Sequence, residues 1–337
     1  MRLLLLALAL PHLPADAEAS PGVLPGSIFF TSLRSKTVVR LDRCGNGSCV
    51  GPTTIAENVS TYSGLVPWRG RLLAALKSRH VVELDPWCPD STCPSTTIVD
   101  LGQALGAGDH GPFAVGGMVW CQGSLFIVFG GQAAATGVLR CTNCSAGKDC
   151  TAGCSLVDGG ASPGKGPQQL SAFVAGATCL GDRVLVADNT NFRVQAIPTS
   201  CVRAPCEVST FAGGLKWPLG ISVVAGESRV LVSLDEGIVA LGPDGALQTG
   251  QWSSREDTGF LCEGGGRILA ASGGDGNIVS FDPACSGPNC TESLVWNSTG
   301  SAAKSGGAVA FVPRPAQASR RQSAAYEEDR PWTTLFA

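Results

Sequence analysis

Fifteen cysteines in a chain of 337 residues are the side chains with the most chemistry to offer, and their spacing admits two uses. Four pairs share one spacing: Cys44 and Cys49, Cys88 and Cys93, Cys201 and Cys206, Cys285 and Cys290. A denser cluster holds Cys141, Cys144, Cys150 and Cys154, whose Cys-x2-Cys and Cys-x3-Cys halves also suit a four-thiolate zinc site. In a chain that reads as secreted, beside pairs of uniform spacing, two disulfides are the expected use of the cluster, with the pairing inside it open. Each short loop closed this way stabilises by roughly 2 kcal/mol through chain entropy, an upper figure because small loops strain easily. The remaining three, Cys121, Cys179 and Cys262, each precede a turn in a separate repeat. That placement predicts buried thiols acting as small apolar groups, radially separated and not bridged to one another.

Acid–base and metal chemistry have thinner support. The three histidines of the chain leave His80 and His110 once the leader is removed, and Asp109-His110 is the one obvious base candidate. No nucleophile elbow, phosphate loop or His-Glu-x-x-His segment occurs. A net charge of -3 with mixed signs offers phosphates no basic face, which argues against nucleic acid as a partner. Five Asn-x-Ser/Thr sequons, at Asn46, Asn58, Asn143, Asn289 and Asn297, mark expected glycosylation sites. At Asn143 and Asn289 the adjacent cysteine competes for the same turn.

The elements that must position these groups are short strands. With 44 Gly, 21 Pro and only 15% charged residues, the composition suits strands joined by tight turns rather than amphipathic helices. Residues 1–17 read as a signal peptide: Arg2, the apolar run Leu3 to Leu10, then Ala15-Asp16-Ala17. A lead at 18–26 follows, and no later run approaches the roughly 20 apolar residues of a membrane span. From residue 27 a unit recurs. Val38 to Asp42 precedes Cys44, Val81 to Asp85 precedes Cys88, Val138 to Arg140 precedes Cys141, Val194 to Pro198 precedes Cys201, and Ile278 to Asp282 precedes Cys285. A sixth copy, Ile238 to Leu241, carries Pro243-Asp244-Gly245 instead of cysteines. Each follows a second apolar run, such as Ile28 to Phe30 or Val184 to Val186, and flanking runs bring the unit to four strands.

Six four-stranded units imply an all-β, six-bladed propeller over 27–313, followed by a flexible tail at 314–337. The chain enters in mid-blade at Ile28, and its last strand, Gly307 to Val312, has nothing after it to pair with. Pairing the two ends completes one antiparallel blade, closes the ring and removes two open sheet edges.

Val184-Leu185-Val186-Ala187-Asp188-Asn189-Thr190-Asn191-Phe192-Arg193-Val194 resembles an NHL repeat, and Trp217 to Ile221 leading into Val230 to Val232 is a weaker match. The resemblance covers about two blades. It implies the propeller architecture rather than an activity, and a structural role for Asp188 and Arg193 in bracing a hairpin. In such propellers function gathers on the face opposite the cysteine turns. The candidate binding residues there are Asp109, His110, Asp188, Asn189, Asn191, Asp235, Asp257 and Asp275, within a wider polar set that includes Lys36, Arg79, Lys216, Trp217 and Glu236.

The expected function is a non-catalytic, secreted module, monomeric and free of cofactor, that presents loops to an extracellular protein or glycan. The alternative is a calcium-dependent lactonase or esterase similar to gluconolactonases and paraoxonases. Those families hold Ca²⁺ with Glu, Asn and Asp on the inner strands, where this chain has Tyr62, Pro112, Ser171 and Pro218, with Asp257 as the acidic exception. A three-histidine zinc lyase lacks its ligands here.

Overall fold

The computed structural model describes residues 24–314 apart from short segments at 33, 46–47, 60–63, 77–78, 107–113, 131–134, 161–162, 167–168, 225, 227–228, 254–257, 273–274, 286–289 and 299–306. The signal peptide, most of the lead and nearly all of the tail lie outside the described residues, as do Asn46, Asp109, His110, Asp257 and Asn289.

Strands form because apolar, often β-branched runs alternate with Gly- and Asx-rich turns, and six antiparallel sheets of four strands result. Blade 1 contains β1 (Gly26–Ser32), β2 (Thr37–Gly45) and β3 (Ser48–Glu57). Blade 2 contains β4 (Leu65–Trp68), β5 (Arg71–Leu76), β6 (His80–Leu84) and β7 (Thr96–Asp100). Blade 3 is built from β8 (Ala114–Cys121), β9 (Ser124–Gly130), β10 (Thr136–Cys141) and β11 (Cys154–Gly160). In blade 4 the strands are β12 (Val174–Leu180), β13 (Arg183–Asp188), β14 (Arg193–Pro198) and β15 (Ser209–Gly213). Blade 5 has β16 (Ile221–Val224), β17 (Arg229–Leu234), β18 (Gly237–Leu241) and β19 (Leu247–Ser253). Blade 6 has β20 (Thr258–Gly264), β21 (Arg267–Ser272), β22 (Ile278–Phe281) and β23 (Ser293–Trp296). The last strand, β24 (Val309–Pro313), pairs with β1 from Gly26↔Pro313 to Phe30↔Val309 and completes blade 1. The ring closes between the two ends of the chain, and neither end leaves an unpaired edge there.

The core lies between blades. Between blades 3 and 4, for example, Phe126, Val128, Val138 and Val157 pack against Val184, Val186 and Ile197. Second strands are buried on both faces, as in β1 and β9, which is why they read as continuous apolar runs. At the axis the six innermost strands crowd together, and a glycine recurs at Gly64, Gly117, Gly176, Gly220, Gly259 and Gly307. A β-carbon on Gly117 would stand 2.6 Å from Ala175 O, and one on Gly220 would stand 2.5 Å from Gly259 O. Only glycine lets neighbouring backbones approach so closely.

The short-spaced cysteines form Cys44–Cys49, Cys88–Cys93, Cys201–Cys206 and Cys285–Cys290, and the cluster pairs as Cys141–Cys154 and Cys144–Cys150. One expectation is corrected: Cys121 and Cys179 are bridged, with Cα atoms 5.5 Å apart. Both lie near the ends of innermost strands, where adjacent blades converge instead of separating, so the bond ties blade 3 to blade 4 across 58 residues of sequence. Cys262 is the free cysteine among the described residues. It is half-buried, and desolvation, reinforced by the neighbouring Glu263, pushes its thiol pKa up.

Candidate functional site

The axial channel is the obvious place for propeller chemistry, and the side chains that line it are apolar. Gly64, Leu65, Gly117, Met118, Gly176, Ala177, Ile221, Phe260, Leu261, Ala308 and Val309 line a narrow space of about 40 Å³. A calcium centre takes six to eight oxygens, several from carboxylates. No carboxylate, amide or imidazole side chain lines this space, and the described residues contain no group of three or more His, Cys, Asp or Glu placed to hold a metal. The described walls therefore do not fit the ion that the hydrolase alternative requires.

The described candidate residues of the face opposite the cysteine turns are spread over separate hairpins, and none of them lines the axial space. Asp188, at the end of β13, is fully buried. Its Oδ1 accepts from Ser171 N at 2.8 Å, and its Oδ2 accepts from Asn191 Nδ2 at 2.8 Å and Arg193 Nε at 2.9 Å. Arg193 also donates to the carbonyls of Gly166 and Gln169 at 2.9 and 2.6 Å. This network satisfies the buried carboxylate and clamps the 163–171 connection against the β13–β14 hairpin. Asn189 is buried, and its Nδ2 donates to Pro218 O at 3.0 Å, tying that hairpin to the connection that enters blade 5. Asp275 accepts from Asn277 N and Nδ2 at 2.9 and 2.8 Å, a local turn brace. Asp235 stands exposed on the β17–β18 turn. Asn58, Asn143 and Asn297 are exposed, as an acceptor for glycosylation must be.

These braces hold up an aromatic pair. Phe192 and Trp217 are 42% and 41% exposed, the two aromatics among the exposed large hydrophobic side chains. Their ring centroids are 5.2 Å apart at 87°, edge to face. Leu215 N donates to Phe192 O at 2.9 Å, which joins the two loops again below the rings. Beside Trp217, Lys216 pairs with Glu236 across blade 5, and that hydrogen bond raises the Lys216 pKa.

No protein-family model matches the chain, and no curated protein matches it. Solved structures do. A chain of a nidogen/laminin complex superposes with TM-score 0.59 at 10% identity, covering 85% of this chain and 98% of its own length. A streptogramin B lyase gives 0.51 at 12%, covering 82% and 84%. A gluconolactonase from Xanthomonas campestris gives 0.47 at 15%, covering 84% and 90%. What the chain shares with its neighbours is the propeller fold. At these identities nothing finer than architecture is carried over.

Two features of this face are missed by residue-by-residue reading. Phe192 sits inside the NHL-like segment, where it reads as one more strand-flanking apolar residue, and its contact with Trp217 depends on how blades 4 and 5 pack. Asp158 of β11 is 2% exposed, and neither carboxylate oxygen has a hydrogen-bond partner among the described residues. A register shift in the β10–β11 pairing places Asp158 opposite Val138, on the side facing blade 4. Burial pushes its carboxyl up to about 6; the nearby Gly159 N–H and Arg193 oppose the shift, and the Asp188 carboxylate adds to it. The Asp158-Gly159-Gly160 run is the sequence signal for that bulge.

Proposed function

We propose that this chain is a secreted, non-catalytic β-propeller that binds an extracellular protein through the face opposite its cysteine turns. The observation that carries the reading is the narrow axial space, lined among the described residues by glycine and apolar side chains where a propeller hydrolase would gather its ligands. Seven disulfides among the described residues belong to an oxidising compartment, consistent with the leader-like N-terminus. Among the described residues no helix is long and apolar enough to cross a membrane. Of the two kinds of partner expected from sequence, protein is favoured over glycan because the polar side chains beside the exposed aromatics are already engaged with one another.

The test is metal analysis of the purified secreted protein together with a lactone and ester hydrolysis screen, with and without added calcium. The expected result is no stoichiometric calcium and no turnover above background. Stoichiometric calcium with chelator-sensitive turnover would overturn the reading in favour of the hydrolase.

A further inference from the structure

We propose that Phe192 and Trp217 are the docking anchor for a protein partner whose own apolar contact is flanked by lysine or arginine. The proposal rests on the binding-module reading above and names the place and chemistry of the contact.

Backbone conformation gives the first argument. Phe192 and Trp217 both adopt left-handed backbone, at φ 57° and 52°. For bulky residues that region costs on the order of 1–3 kcal/mol each and persists only where surrounding contacts impose it. The corresponding turn of blade 6 uses Gly276, at φ 75°, which bears no such cost. In blade 4 the strained position carries an aromatic ring that the fold leaves 42% exposed. The ring is not there to fill the core.

Rigidity is the second. The buried Asp188–Arg193 pair fixes one loop and the Asn189–Pro218 hydrogen bond ties it to the other, so the rings are held before any partner arrives. Interfaces gain most from aromatic side chains ordered in advance, because little entropy remains to be lost on binding.

The third is charge. On the turns of blades 5 and 6, Asp235, Glu236 and Asp275 are exposed, against Lys216 on the connection into blade 5 and Lys165 on the connection into blade 4. Farther round the ring, past blade 6, the corresponding turns of blades 1 and 2 expose Arg34, Lys36 and Arg79. The face is therefore polarised, and its aromatic pair borders the acidic arc. A partner seated on Phe192 and Trp217 with a basic group over Asp235 is complementary in both respects. A sugar would bring several hydroxyls to a place where Asn189, Asn191, Lys216 and Glu236 are already engaged, leaving most of them unmatched on burial.

The experiment selects a displayed random peptide library on the full-length secreted protein at low salt. Selected peptides are then compared on wild type, Trp217→Ser, Phe192→Gly, Asp235→Lys, and Lys36→Glu on blade 1. Phe192→Gly keeps a residue suited to the left-handed turn, and unfolding midpoints confirm that each variant folds. The expected peptides pair an apolar residue with Lys or Arg, lose about tenfold or more in affinity on Trp217→Ser and Phe192→Gly, weaken with salt and charge reversal, and ignore Lys36→Glu. Peptides bound equally by every variant would overturn the anchor and leave the module reading standing. Trp217-dependent binding on a glycan array without peptide binding would replace the protein by a sugar. Self-association abolished by Trp217→Ser would make the occupant a second copy of this chain. Failure to select any peptide, with no sugar bound either, would sink both readings.

Discussion

The two faces of the disc are held by different chemistry. On one, the turns between third and fourth strands are closed by disulfides in blades 1, 2, 4 and 6, and by the four-cysteine cluster in blade 3. Blade 5 replaces the staple with Pro243-Asp244-Gly245, where Gly245 N donates to Gly242 O at 3.0 Å. On the opposite face the described hairpins carry no disulfide, and polar side chains hold them: the buried Asp188 with Arg193, the buried Asn189 with Pro218 O, and the exposed Asp275 with Asn277. Covalent staples restrict the unfolded chain without aiming any side chain, whereas a hydrogen-bonded brace fixes direction and can hold a strained loop toward a partner. Stability should therefore respond to both faces, and binding to one.

The largest effect is expected at the polar brace. Asp188→Ala removes the partner of Arg193 in a buried pair and should cost about 3–5 kcal/mol, read as a lowered denaturation midpoint, with loss of anchor-dependent peptide binding at temperatures where the variant is still folded. A drop in stability with binding intact would show that the brace does not aim the rings. Removing the inter-blade bond with Cys121→Ser and Cys179→Ser should cost about 4 kcal/mol, against about 2 for removing Cys285–Cys290, because the longer loop loses more entropy when closed. Both should leave peptide binding unchanged, and equal losses would contradict the loop-length account.

A smaller effect belongs to Asp158. Its folded pKa of about 6 lies above the ordinary aspartate value of 3.8, so the folded state holds the proton more tightly than the unfolded chain. The favourable contribution is present below about pH 4, falls away as pH rises through 6, and is absent at neutral pH. Asp158→Asn should flatten that dependence and raise the neutral-pH stability by on the order of 2 kcal/mol. An unaltered pH profile in the variant would place the titration elsewhere. Smallest of all, Lys216→Ala removes an exposed ion pair, and its unfolding midpoint should match wild type within error.

The blades were legible because their signals are local. Val38 to Asp42 followed by a cysteine pair is a strand and a closed turn whatever lies around it, and six copies with a split first blade leave little topological freedom. The short disulfides were legible for the same reason. Cys121–Cys179 was not, since its partners meet only where two innermost strands converge. The hydrogen-bond partners of Asp188 are likewise set within its own blade and the connection leading into it. Asp158 and Phe192 escaped because burial of the one and exposure of the other are properties of the contact between blades.

By itself the sequence determined the blade count, the strand order within each blade and the closure of the ring, because period-two patterning, turn residues and the two half-blades at the chain ends are written in neighbouring positions. Only the tertiary structure decided which side chains face the axis, which carboxylate is buried without a donor, and that two aromatics from separate loops meet at the rim. Those outcomes depend on how closely one blade approaches the next, a distance set by glycine and side-chain volume on both surfaces at once.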